Sequence, residues 1–153
     1  MGCLDFGDID KNLARKLNDG DIGGILTCIH AINTLKVLRL TGCVIVLGRG
    51  LEPVVGSVIL EEIDFSIVGQ HENLGVEPEP MISKGIVCSF LERIIRNPEN
   101  SLRYIQLPHM WRDWHGYARI QSMGRNSRSC DSCSLVISVG RCVGGSCRTC
   151  SNR

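Results

Sequence analysis

One short pattern of leucine-like residues recurs along this chain, and it constrains the fold more than any other feature. The pattern L-x-x-L-x-L-x-x-C spans residues 35–43 and returns with substitutions at residues 60–68 and 102–110. A shortened copy occupies residues 4–9. Alternating apolar residues favour a strand with one buried face, and a strand motif repeated along a chain is typical of stacked repeats. The sequence therefore predicts one short strand from each copy.

Helical segments are predicted between these strands. Apolar residues spaced three or four apart occur in residues 8–17, 22–32 and 84–96, which predicts a helix in each segment. Asp19 or Asp21 is placed to cap the second of these helices. Because a unit of strand, turn and helix cannot bury its own apolar edge, neighbouring units are expected to stack around a continuous core.

The charged residues divide the chain into two parts. Residues 1–123 carry 12 Lys and Arg against 15 Asp and Glu, whereas residues 124–153 carry five Arg against Asp131 alone. With 153 residues, 43% of them hydrophobic, the chain has room for one domain and enough apolar side chains for its core. We therefore predict a repeat domain over residues 1–123 and a Cys/Arg-rich tail over residues 124–153.

The sequence carries no signal for a membrane or for secretion. No apolar run approaches the roughly 18–20 residues needed to cross a bilayer, and no basic segment followed by an apolar one opens the chain. These features predict a cytoplasmic or nuclear protein that does not bind membranes. In such a reducing compartment the nine cysteines are expected to be thiols or metal ligands rather than disulfides.

The first full copy carries a family resemblance. Cys43 at its ninth position, followed by Gly50-Leu51 and then Leu60, resembles the cysteine-containing leucine-rich repeats of F-box-associated and ribonuclease-inhibitor-like proteins. The resemblance covers residues 1–111 and is most specific over residues 33–68; the other two full copies lack the ninth-position Cys. It implies an α/β leucine-rich repeat solenoid of three to four repeats, with parallel strands on the concave side and helices on the convex side. It also implies a role in binding proteins, and Cys43 is then expected to be a buried small apolar residue.

Alternate strand positions point to opposite sides of a sheet. The resemblance implies that nine apolar residues point inward: Leu35, Leu38, Leu40, Leu60, Ile63, Phe65, Leu102, Ile105 and Leu107. The intervening residues are expected to lie on the concave side and bind a partner: Val37, Arg39, Thr41, Glu62, Asp64, Ser66, Tyr104 and Gln106, with Pro108 beside them. Because equivalent residues on adjacent strands lie about 5 Å apart, Arg39, Asp64 and Gln106 are expected to form a row. The alternative is that Arg39 and Asp64 merely pair on the surface, which is worth about 0–1 kcal/mol.

The tail contains two C-x-x-C pairs. Their four thiols match the ligand set of a structural zinc: Cys130, Cys133, Cys147 and Cys150. Zinc would supply folding energy to a segment that has little to bury, although a fifth cysteine, Cys142, makes the ligand set ambiguous. Two alternatives stay open. The thiols stay reduced in a disordered tail, or one C-x-x-C has a redox role, for which the expected neighbouring βαβ unit is missing.

No motif of a catalytic site occurs in the sequence. Gly48-Arg49-Gly50 lacks the third Gly and the Lys-Ser/Thr of a phosphate-binding loop, and the four His are scattered. We therefore predict a non-catalytic protein-interaction module that binds another protein on the concave face of the repeat stack. The alternative is a nucleic-acid-associated protein that uses the basic tail, with Arg125, Arg128, Arg141 and Arg148 on phosphates. No aromatic residue interleaves those arginines for base stacking, which makes nucleic acid the less favoured partner.

Overall fold

The computed structural model describes residues 2–67, 81–108, 111, 116, 118–120, 122 and 136–139. The strands within these residues are β1 (Cys3–Asp5), β2 (Val37–Arg39), β3 (Glu62–Asp64), β4 (Tyr104–Leu107) and β5 (Val136–Val139). The α-helices are α1 (Lys11–Ala14), α2 (Asp19–Cys28), α3 (Ala31–Thr34) and α4 (Lys84–Ile95). Two 3₁₀-helices lie at Phe6–Asp8 and Arg49–Val54, and residues 116, 118–120 and 122 are also helical.

The five strands form one sheet in which every neighbouring pair is parallel. Their order across the sheet follows their order in the chain, from β1 to β5. The register aligns one apolar residue of each strand in a central column: Leu4, Leu38, Ile63, Ile105 and Ile137. A parallel sheet connected through helices is an α/β arrangement, so the predicted α/β class is confirmed.

The core lies on one side of the sheet. The nine apolar residues that the resemblance implies to be inward are all buried, none more than 1% exposed, which confirms the prediction: Leu35, Leu38, Leu40, Leu60, Ile63, Phe65, Leu102, Ile105 and Leu107. Phe65 meets Phe90 of α4 edge to face, with ring centroids 6.2 Å apart. Each fully buried aliphatic side chain contributes about 1.5–3 kcal/mol, so this aliphatic layer dominates the stability of the fold.

The helices begin at polar caps. Asn18 caps α2, because its side chain accepts the Asp21 amide while the Asp21 carboxylate accepts the Asn18 amide. The cap is therefore Asn18 rather than Asp19 or Asp21, and the helix begins three residues before the predicted start. It ends at Ile29, and His30 adopts a left-handed conformation with φ of 52° before α3 begins. The long predicted helix over residues 22–32 is thus two helices.

The clearest predicted helix is confirmed. Ser83 caps α4 by accepting the Ile86 amide, and five apolar side chains of its predicted stripe are buried: Val87, Phe90, Leu91, Ile94 and Ile95. The predicted helix over residues 8–17 is shorter in the structure, where α1 spans only Lys11–Ala14. Of α1, Ala14 alone is buried, so little apolar contact is available to extend the helix.

The sheet continues into residues 124–153, the segment that differs in charge from the rest of the chain. Strand β5 lies beyond residue 124 and pairs with all four residues of β4. Ile137 packs against the core, while Val136 is 48% exposed. The composition boundary is therefore not the boundary of the sheet. Within the described residues, no helix has the length and hydrophobicity that crossing a membrane requires.

Candidate binding surface

The sheet presents two rows of side chains on the side opposite the core. The register aligns a first row that consists of Cys3, Val37, Glu62, Tyr104 and Val136. A second row consists of Asp5, Arg39, Asp64 and Gln106. Both rows flank the central apolar column, so strand alternation directs them away from it. The predicted alignment of Arg39, Asp64 and Gln106 is confirmed, and we call the two rows together the polar face.

The two rows differ in accessibility. In the first row Cys3 and Val136 are exposed, and Val37, Glu62 and Tyr104 are partly exposed. In the second row Asp64 and Gln106 are each only 3% exposed. Of the residues that follow the strands, Thr41 after β2 is partly exposed, whereas Ser66 after β3 and Pro108 after β4 are buried. Five of the eight predicted partner-binding residues are therefore accessible: Val37, Arg39, Thr41, Glu62 and Tyr104.

Arg39 links three strands through two carboxylates. Its Nε and Nη2 donate to Glu62 Oε1 at 3.3 and 3.1 Å, and its Nη1 lies 3.6 Å from Asp5 Oδ2. Partial burial alone would lower the pKa of Arg39, but the hydrogen bond and charge of Glu62, together with the charge of Asp5, raise it above its ordinary value. Arg39 thus pairs with Glu62 and Asp5. The alternative that it pairs with the aligned Asp64 is wrong.

Asp64 and Gln106 have hydrogen bonds of their own. Asp64 Oδ1 accepts the amide of Ser66 at 2.7 Å, and the hydroxyl of Tyr104 donates to Gln106 Oε1. A buried polar group without a partner would cost about 1–3 kcal/mol. Throughout the described residues, no buried side-chain nitrogen or oxygen lacks a hydrogen-bond partner. These two residues therefore stabilise the sheet from within and do not offer a contact surface to a partner.

A carboxylate that the sequence did not single out for this role joins α2 to the loop around Arg49. Asp19, at the start of α2, accepts amides of Leu47, Gly48 and Gly50 at 2.8, 2.9 and 2.8 Å. Burial alone would raise the pKa of Asp19, but the hydrogen bonds from these amides outweigh it and hold the pKa below 3.8. The loop around Arg49 thus binds an anion, as Gly-rich loops do, and that anion belongs to the chain itself.

The backbone of this loop explains its two glycines. Gly48 has a φ of 118°, a backbone conformation that residues other than glycine rarely adopt. A Cβ on Gly50 would lie 2.4 Å from the carbonyl oxygen of Asp19, so the close approach of loop and helix requires glycine there. The spacing Gly-x-Gly was visible in the sequence, but its bound carboxylate lies about 30 positions away and no local pattern indicates it.

A surface groove of about 590 Å³ lies between α2 and the 3₁₀-helix Arg49–Val54. Its α2 wall is shallow because Gly20 and Gly24 have no side chains there. On the opposite wall Glu52 receives both terminal nitrogens of Arg93, at 2.8 Å each. One side of the groove is therefore lined by glycines, and the carboxylate on the other side is already paired with Arg93.

The predicted metal ligands lie outside the described residues, as do the four tail arginines of the nucleic-acid alternative. Among the residues that the structure describes, no group of three or more His, Cys, Asp or Glu is placed to hold a metal ion. Cys43 is fully buried as predicted, and burial, followed by the charge of Asp5, raises its pKa to about 12.

No protein-family model matches this chain, and no curated protein or solved structure is significantly similar to it. The resemblance to leucine-rich repeats therefore rests on the sequence pattern, and the binding surface rests on the geometry of the sheet.

Proposed function

We propose that this protein is a non-catalytic interaction module that binds another protein on the polar face of its sheet. In this proposal the sheet is the concave side of a leucine-rich repeat solenoid, and the helices form its convex side. The chain-ordered parallel sheet supports the proposal, because stacked repeats place equivalent strands side by side in chain order.

The observation that carries the proposal is the first row of the polar face. Its accessible side chains come from successive strands of one hydrogen-bonded sheet, with the buried column directly beside them. Adjacent strands lie about 4.8 Å apart, so five strands display side chains over roughly 20 Å. A surface held this rigidly loses little conformational entropy when a partner binds, which favours affinity.

The residue types also suit binding. Arg and Tyr are enriched among the few interface residues that carry most of the binding energy, and the accessible set contains Arg39 and Tyr104. Ion pairs to Glu62 and Asp5 hold the Arg39 side chain in place before any partner arrives. A preorganised arginine on β2 is therefore a candidate anchor.

Site-specific photo-crosslinking tests the proposal. A benzophenone amino acid replaces Thr41, which lies beside the polar face and is partly exposed, or Ser89, which is exposed on α4. We expect position 41 to yield a discrete adduct with one protein from a cell extract, and Ser89 to yield none of it. Excess unmodified protein should compete the adduct away, and Arg39→Glu introduced with the crosslinker should abolish it. Adducts that form equally from both positions, or from Ser89 only, would refute binding at the polar face.

A further inference from the structure

Among the described residues of the polar face, two carboxylates flank one guanidinium. Asp5 and Glu62 lie on either side of Arg39. The formal charges of these three groups sum to −1. The side chains of Asp5, Glu62 and Arg39 are 20%, 25% and 36% exposed, so solvent and salt screen their field less than that of fully exposed charges. The site therefore attracts a further positive charge.

Asp5 and Glu62 each have a carboxylate oxygen that can accept a further hydrogen bond. Arg39 uses only Oε1 of Glu62, and within the described residues Oε2 has no hydrogen bond or ion pair. Asp5 gives Oδ1 to the Gly7 amide at 2.7 Å, while its Oδ2 lies 3.6 Å from Arg39, beyond a good hydrogen bond. A carboxylate oxygen accepts two hydrogen bonds, so both groups can take an ammonium or guanidinium from outside.

Apolar neighbours flank Glu62 along the first row. Val37 is its register partner on β2, Tyr104 is its register partner on β4, and Val136 follows on β5. Val136 is 48% exposed. Across β2 to β5 the first row therefore consists of an apolar, an acidic, an aromatic and an apolar side chain, about 4.8 Å apart.

From this order of chemistry we propose that the partner presents a lysine or arginine between apolar residues, on a segment that crosses the strands along the first row. The cation contacts Glu62 and Asp5, and the apolar residues contact Val37 on one side and Tyr104 and Val136 on the other. This inference rests on the proposed function, since it specifies the partner chemistry of the same surface. Asp64 and Gln106 take no part because they are buried.

Peptide display tests this chemistry without knowledge of the natural partner. Random dodecapeptides are selected on the immobilised full chain, and the selected peptides are measured by fluorescence anisotropy and mapped with a benzophenone that the peptide carries. We expect enrichment of Lys or Arg between apolar residues, crosslinks to the polar face, and an affinity that falls as salt rises. Glu62→Gln should weaken binding about fivefold, as loss of a charge pair worth about 1 kcal/mol requires.

Glu52→Gln is the matched control. It also removes a carboxylate that pairs with an arginine, but on the helical layer, and it should leave the affinity unchanged. Asp5→Asn is the second test variant, used in place of Glu62→Gln if that variant shows no cooperative thermal unfolding.

The outcomes separate the two proposals. Peptides without basic residues that crosslink to the polar face would overturn the cation preference and leave binding at this face standing. If basic peptides bind Glu62→Gln and Asp5→Asn with the same affinity as the wild type, the placement of the cation is overturned. Selected peptides that crosslink only to the helical layer would count against the proposed function itself.

Discussion

Asp19→Ala is the change that tests most directly how α2 is held to the loop that precedes the 3₁₀-helix Arg49–Val54. The Asp19 carboxylate bonds amides of Leu47, Gly48 and Gly50, and so joins the start of α2 to a loop about 30 residues later. Alanine removes the acceptor and leaves three amides to find water in a partly buried cleft. We expect the protein to fold, with a large loss of stability.

The magnitude follows from the number and charge of these bonds. A hydrogen bond to a charged group contributes about 1.5–3 kcal/mol, and water recovers part of it where the cleft is open. We expect Asp19→Ala to lower the free energy of unfolding by about 2–4 kcal/mol. Asp21→Ala is the matched control, because it removes an acid from the same helix turn but affects only the capping box, at a cost of about 1 kcal/mol.

Urea unfolding followed by circular dichroism measures both variants, first at neutral pH and then in acid. The pKa of folded Asp19 lies below its ordinary 3.8, so its contribution is fully present above pH 3.8 and is lost as the pH falls through the folded pKa. The difference between the wild type and Asp19→Ala should therefore shrink in acid. Equal losses for the two variants, or a difference for Asp19→Ala that does not change down to about pH 2, would refute this account.

Three further changes test other parts of the structure. Gly50→Ala should cost about 1–3 kcal/mol in the same urea assay because its Cβ meets the Asp19 carbonyl, whereas Gly24→Ala, with open space around it, should be neutral or stabilising. Native iodoacetamide labelling at mildly alkaline pH should modify the exposed Cys28 and spare the buried Cys43, whose pKa is about 12; equal labelling in peptide maps would contradict its burial. Native mass spectrometry should find one zinc per chain, lost in Cys130→Ser; a metal-free reduced protein would exclude the zinc site.

The repeated apolar pattern, together with its resemblance to leucine-rich repeats, was enough to predict the inward side chains. Leu38, Ile63 and Ile105 are apolar at equivalent positions of each copy, and a period of two leaves one side of a strand for them. Ser83 could likewise be read as a helix cap, because a cap acts on amides only two or three residues away. Such features depend on neighbours in the chain, so local sequence is sufficient to infer them.

The binding surface could be predicted only in part. Alternation correctly placed Val37, Glu62 and Tyr104 on the side of the sheet away from the core. It could not reveal that Asp64 and Gln106 on that side are buried, because accessibility depends on how the rest of the chain packs around the sheet. Asp64 and Gln106 were therefore expected at an interface that they do not reach.

The remaining features depend on contacts between distant residues. The fifth strand has β-branched residues that favour a strand, but it is only four residues long, and pairing with β4 rather than a repeat copy places it in the sheet. Arg39 pairs with Glu62, whereas the aligned Asp64 accepts the Ser66 amide. The Asp19 carboxylate accepts amides of a distant loop rather than of its own helix. The apolar period thus specifies which residues enter the core. The packed chain decides which polar groups meet, because hydrogen bonds and ion pairs need donor and acceptor at a distance and angle that sequence spacing does not encode.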